Sequence, residues 1–108
     1  MKVAQILDDM AIEYGTQYRF PDCRDELVLP FDFFLPKYNI CIEYDGLQHF
    51  EPCMFGGISK ERAIENLARV QKHDKIKDEY CQDNNITLIR IPYWEYSNIK
   101  NILSLHLH

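Results

Sequence analysis

Asp32, Glu43, Asp45 and His49 are of the types and spacing that hold a divalent cation and move a proton. Converging carboxylates suit a hard ion such as Mg²⁺ or Mn²⁺, which prefers oxygen ligands. An imidazole beside them titrates near neutral pH and serves as general base or acid. Residues 39–45 alternate Ile40, Ile42 and Tyr44 against Cys41, Glu43 and Asp45. In a strand this puts both acids on one face, where they repel each other and are costly to desolvate without a cation or donor. Asp32 interrupts the apolar run Pro30-Phe31-Asp32-Phe33-Phe34, where β propensity gives no reason for an acid. A salt-bridged or capping role is the plain structural alternative. Gly46 permits a sharp exit from the strand and close approach of a ligand. Gln48 and His49 follow within reach of the carboxylates.

The elements that must position these side chains are legible in outline. Val3 to Tyr14 carries apolar residues at helical spacing, with Gly15 as a stop. Thr16–Phe20 is a short strand candidate and 21–26 a polar loop. Leu29–Leu35 and Asn39–Asp45 are strands joined by Pro36-Lys37-Tyr38-Asn39, which predicts an antiparallel hairpin. Ser59 is an N-cap for a long helix reaching about Gln82. Ile86–Ile91 is a strand closed by Pro92, and a last helix runs from about Tyr96 to Leu103, anchored by Tyr93 and Trp94. A helix between the hairpin's second strand and the Ile86 strand predicts a right-handed crossover and a parallel pair. The fold class is therefore α/β, a small mixed β-sheet flanked by helices. On the long helix, Leu67 and Asp74 lie about 20° apart, with Ala63 and Val70 on the same side. Asp74 thus continues the sheet-facing stripe and can orient His49, while Ile76 and Tyr80 point elsewhere.

The 108 residues point to one domain, 46% hydrophobic and 13% aromatic. No apolar run approaches the roughly 20 residues of a membrane span, and Asp8 and Asp9 interrupt any signal-like start. A cytoplasmic protein without a membrane partner is expected. Cys23, Cys41, Cys53 and Cys81 lack zinc-ligand spacing and read as reduced, packed thiols. The net charge of −5 argues against a nucleic-acid binder. Against that, Lys60, Arg62, Arg69, Lys72, Lys75 and Lys77 are half of the twelve bases and fall within 18 residues. Arg69, Lys72, Lys75 and Lys77 are the candidate phosphate contacts; His73, among them, is a weaker candidate for chemistry than His49.

Four segments, Leu29-Pro30-Phe31-Asp32-Phe33, Ile42-Glu43-Tyr44-Asp45-Gly46-Leu47-Gln48-His49, Asp74-Lys75-Ile76-Lys77 and Leu88-Ile89-Arg90-Ile91-Pro92, occur in this order. Together they resemble the very-short-patch-repair-like branch of the PD-(D/E)xK nucleases. Within that branch they resemble the catalytic domain of phage-type homing endonucleases with an EDxHD set of active-site residues. The resemblance covers roughly residues 20–100. It implies a restriction-endonuclease-like core, a divalent-metal-dependent endonuclease acting on double-stranded DNA, and a bacterial or phage-infected cell as its setting. It further implies a separate DNA-binding region outside the chain, and a homodimer where both strands are cut. Asp32 matches the family's metal-binding aspartate, His49 its histidine, and Asp74 its helix aspartate. The backbone carbonyl near Tyr44 corresponds to a second metal ligand. Glu43 and Asp45 stand where the wider superfamily has (D/E)xK, with Asp45 replacing the lysine, so that His49 is left to handle the proton. Catalytic candidates are thus Asp32, His49, Asp74, Glu43, Asp45 and Gln48; metal candidates are Asp32, Glu43, Asp45 and Tyr44. One departure stands out. The family's first glutamate sits near the start of the first helix, whereas here none precedes Glu13; either Glu13 substitutes or the residue belongs to a preceding segment. The rival expectation is a catalytically silent DNA-binding or assembly module. A metal enzyme acting on a small molecule lacks the glycine-rich phosphate loop that would support it.

Overall fold

The computed structural model describes residues 2–107, with Phe55 described by its backbone alone. Helix α1 (Lys2–Asp9) leads into strands β1 (Gly15–Arg24), β2 (Val28–Leu35) and β3 (Ile40–Asp45). After short 3₁₀ turns at Leu47–His49 and Phe55–Gly57 comes α2 (Lys60–Asp83). Strand β4 (Thr87–Pro92), a 3₁₀ segment (Tyr93–Asn98) and α3 (Ile99–His106) complete the order. The sheet runs β1-β2-β3-β4. β1–β2 and β2–β3 are antiparallel, and β3–β4 are parallel, as a helical crossover requires. The mixed α/β sheet and the parallel pair agree with the sequence reading.

Each face of the sheet has its own core. Phe33, Leu35, Ile40, Ile42, Ile89 and Ile91 pack against Val3, Ile6 and Leu7 of α1 and against Ile99, Leu103 and Leu107 of the C-terminal segment. On the other face Cys23, Leu29, Phe31 and Cys41 meet Cys81, with Ile76 and Tyr80 packed against them. Ile76 and Tyr80 therefore join the sheet-facing surface of α2, contrary to the simple stripe, because a helix on a twisted sheet buries a broad face. The α2 N-terminus forms as expected, with the Ser59 hydroxyl accepting from the Arg62 N–H at 3.1 Å. Cys23, Cys41 and Cys81 are free, buried thiols, and burial pushes Cys23 up to about 11; they pack as small hydrophobes, as expected.

Some boundaries differ from the sequence pattern. α1 stops at Asp9, not Tyr14. Ala11 adopts φ 57°, with the Ile12 N–H bonded to the Leu7 carbonyl and the Ala11 N–H to the Asp8 carbonyl. This is a Schellman end built without glycine, in a conformation that costs a non-glycine residue about 1 kcal/mol or more. β1 runs through Pro21 to Arg24 instead of ending at Phe20, because a register shift after Arg19 lets the strand re-pair at Arg24–Val28 and bury Cys23. The last helix starts at Ile99, later than Tyr96, because residues 93–98 take the tighter 3₁₀ form.

Asp32 is where β2 changes face. Leu29 and Phe31 belong to the α2-side core, but Phe33 and Leu35, of the same parity, belong to the opposite core. Gln17, opposite Asp32 in the unbroken β1–β2 register, takes φ 47°. The β2–β3 ladder starts at Phe33–Ile42. One position earlier, side chains replace it. The Asp32 N–H donates to Glu43 Oε1 at 3.1 Å, and the Tyr44 N–H donates to Asp32 Oδ2 at 2.8 Å.

Candidate functional site

Beyond its apolar end, the α2-facing side of the sheet turns polar. Along β3 it presents Cys41, Glu43 and Asp45, and in parallel register along β4 Leu88, Arg90 and Pro92. Two strand residues advance about 6.6 Å and a helical turn about 5.4 Å. Cys81, Lys77 and Asp74 on α2 therefore keep step with Cys41, Glu43 and Asp45, and each pair is in contact or linked through a neighbour.

The acids divide between two neighbouring clusters. In the first, Lys77 Nζ lies 3.2 Å from Glu43 Oε1, with side-chain exposures of 11% and 4%. Glu43 Oε1 also accepts from Asp32. Burial pushes the Glu43 carboxyl up and Lys77 works against that rise. The lysine also sits over the Phe31 ring. In the second cluster, the Arg90 Nη1 donates to both Asp45 oxygens at 3.1 Å. Arg90 Nη2 donates to the Asp74 carbonyl at 3.0 Å, and Nε to Asp78 Oδ1 at 2.8 Å. His49 Nδ1 is 2.8 Å from Asp74 Oδ2 and 3.7 Å from Asp45 Oδ1, so Asp74 is its hydrogen-bond partner. Burial raises Asp45, against the pull of Arg90. For Arg90, burial disfavours the charge, but Asp45 and Asp78 more than offset it. Among the described residues, no buried side-chain nitrogen or oxygen lacks a partner.

Several sequence expectations are thereby corrected. Asp32, Glu43 and Asp45 do not converge on one point: Asp45 turns to Arg90, whereas Glu43 accepts from Lys77 and the Asp32 N–H and the Asp32 carboxylate accepts from the Tyr44 N–H. Lys77 is not a surface phosphate contact, because burial and its Glu43 partner hold it inside. The sequence pattern gives Arg90 no site role and sets Lys77 at the surface; the signal for Lys77 is that α2, stepping by turns, sets a base at 77 opposite Glu43. Tyr44 enters the site through its N–H. Gln48 is exposed and lines a cavity of about 310 Å³ with Glu51, Leu67 and Val70; it makes no hydrogen bond with either cluster among the described residues. Gly46 is extended (φ −74°), and the close approach to it is by the Gln48 carboxamide. Glu13 is exposed and lies beyond α1. Tyr93 and Trp94 do not bury against α3; with Phe50 they form an exposed aromatic cluster next to His49, ring centroids 4.8–5.9 Å apart.

The remaining bases lie apart from the two clusters. Arg69 and Lys72 line a groove of about 790 Å³ with Arg19 and His73, between α2 and the β1–β2 end. Asp25 pairs there with Lys72 and His73, each at 3.2 Å. Lys75 faces Glu79 on the exposed side.

Two places could hold a cation. Asp45, His49 and Asp74 offer ligand atoms within 4.8 Å of one another, but Arg90 already neutralises Asp45 and His49 already occupies Asp74 Oδ2. At the first cluster Tyr44 takes Asp32 Oδ2, while Asp32 and Lys77 take Glu43 Oε1. None of these hydrogen bonds uses Asp32 Oδ1 or Glu43 Oε2, and carboxylate oxygens are the donors that a hard ion such as Mg²⁺ or Mn²⁺ takes.

No family model matches the chain, and no solved structure matches it. It is similar to two viral proteins. Uncharacterized protein 307L of Invertebrate iridescent virus 6 is 38% identical over 65 residues, 60% of this chain and 31% of that protein. Uncharacterized protein 033L of Invertebrate iridescent virus 3 is 30% identical over 83 residues, 68% of this chain and 41% of that protein. The chain thus spans about a third to two-fifths of the length of the curated relatives it matches. Among the described residues no helix is long and apolar enough to cross a membrane.

Proposed function

We propose that this chain is the catalytic domain of a divalent-metal-dependent DNA endonuclease with a restriction-endonuclease-like core of the very-short-patch-repair-like, EDxHD type. The observation that carries the reading is the His49–Asp74 hydrogen bond, made next along the sheet from the Asp32 and Glu43 carboxylates. Nuclease chemistry on phosphodiesters needs both parts: charge stabilisation at the phosphate and a group to take the proton of the attacking water.

Asp32 and Glu43 hold the ion, Mg²⁺ or Mn²⁺, which when bound supplies Lewis-acid stabilisation of the phosphate charge. With Nδ1–H donated to Asp74, the His49 Nε2 is the acceptor for the proton of water. Asp74 fixes the tautomer and the ring plane. Lys77 supports the reading further, because it brings from the helix the base that the Glu43-Tyr44-Asp45 segment lacks. Arg69 and Lys72, with Arg19, offer phosphate contacts in the adjoining groove. Sequence preference comes from a region outside this chain, and where both strands are cut a homodimer does so.

Plasmid nicking or linearisation in Mg²⁺ tests this. The parent cuts, and His49→Ala is slower by about 10²–10⁴-fold. A His49→Ala protein that cuts as well as the parent overturns the assignment. The alternative, a silent DNA-binding or assembly module, draws on Glu13 lying outside the site. It predicts DNA binding without Mg²⁺ or Mn²⁺ affinity.

A further inference from the structure

Arg90 stands on β4 opposite Glu43, yet its guanidinium passes over to the second cluster. All three of its nitrogens donate, and their acceptors lie on two elements: Asp45 on β3, and the Asp74 carbonyl and Asp78 carboxylate on α2. A lone ammonium could not span these directions, because the planar fork is what matches several acceptors at once.

The consequence falls on His49. Two carboxylates are candidates for its Nδ1–H: Asp74 from the helix, at 2.8 Å, and Asp45 from the strand, at 3.7 Å. Asp45 is only four residues away in sequence and is the more buried of the two. A buried carboxylate without a donor turns to whatever donor is near. With both Asp45 oxygens on Nη1, that need is already met. The guanidinium also ties the helix turn carrying Asp74 to β4, fixing the height from which Asp74 reaches the imidazole. We propose that Arg90 is a positioning residue that assigns His49 to Asp74 by occupying Asp45. The charged groups at the imidazole Nδ1 are then Asp45 from β3 and Asp74 from α2, both paired with Arg90 from β4.

The consequence for activity rests on the endonuclease reading, but the assignment itself does not. Outer partners of functional imidazoles affect activity by about 10- to 100-fold. Arg90→Met keeps the stem and removes the fork. Its expected effect is a kcat lower by about 10- to 100-fold with the KM for plasmid DNA unchanged. Crystal structures should show His49 Nδ1 on Asp74 in the parent and turned to Asp45 in Arg90→Met; the same Nδ1–H serves either carboxylate, so the partner and not the tautomer is what moves. The decisive variant is Arg90→Met with Asp45→Asn. Once the competing carboxylate is gone, the Nδ1–Asp74 hydrogen bond and most of the lost kcat return. Arg90→Lys, which still neutralises Asp45, keeps His49 on Asp74 and covers the case in which Arg90→Met fails to fold. If Arg90→Lys moves His49 to Asp45, or if Asp45→Asn does not return it to Asp74, Arg90 is only a staple between α2 and the sheet and the proposal falls. If His49 leaves Asp74 in Arg90→Met and returns in the double variant, but the parent cuts no DNA, the endonuclease reading fails and the positioning assignment stands.

Discussion

Glu43 and Asp45 stand two residues apart on the same strand face, both buried and both pushed toward protonation by that burial. They differ in the cation that answers them. Glu43 meets an ammonium, a point charge engaging one oxygen, which leaves the other oxygen outside the pair. Asp45 meets a guanidinium that takes both oxygens and then reaches two more acceptors on α2. The first arrangement leaves one oxygen outside the pair; the second engages both and ties the Asp74 turn of α2 to the sheet. Two acids that look equivalent in the sequence thereby acquire different tasks.

On the proposed reading, removing the acid that would hold an ion and removing the group that would take the proton should break the comparison in different ways, and these are the largest effects. Asp32→Asn should abolish both Mg²⁺-dependent cleavage and Mn²⁺ binding measured by paramagnetic relaxation. His49→Ala should lose about 10²–10⁴-fold in cleavage rate while still binding Mn²⁺. Equal loss of Mn²⁺ binding in both variants would merge the clusters into one metal site.

Lys77→Met comes next. It leaves Glu43 buried without its cation, which costs about 3–5 kcal/mol at neutral pH. Glu43 is already raised from its ordinary value of 4.5, by burial, and rises further without Lys77. Because the folded form holds the proton more tightly, stability is fully present below pH 4.5 and is lost as pH climbs through the folded value. Urea unfolding at acidic and at neutral pH should show the variant near the parent in the first and far below it in the second. A Glu43→Gln, Lys77→Met double variant should regain much of the loss. A pH-independent deficit in Lys77→Met would mean that lost packing, not charge, dominates.

Lys72→Ala, on the same helix, is the smallest. Its pair with Asp25 is 63% exposed on the lysine side, where water screens the attraction. Thermal unfolding should not shift measurably, while DNA binding should lose about one unit of salt slope if Lys72 contacts a phosphate.

Much of this arrangement follows from local pattern. Alternation from Asn39 to Asp45 sets Glu43 and Asp45 on one face, Ser59 starts α2, and 3.6-residue periodicity puts Asp74 on the sheet side, because each of these depends on spacing within a single element. Side-chain partnership does not. Whether Lys77 faces solvent or Glu43, and whether Asp45 takes an ion, His49 or Arg90, depends on how far α2 is displaced along β3 and β4. A shift of one helical turn, about 5.4 Å, would give every acid a different partner. Asp32 shows the same division. Its strand is evident from the surrounding phenylalanines, but the change of face there, which lets the carboxylate take the Tyr44 N–H in place of a ladder bond, exists only once three strands and two cores are in place.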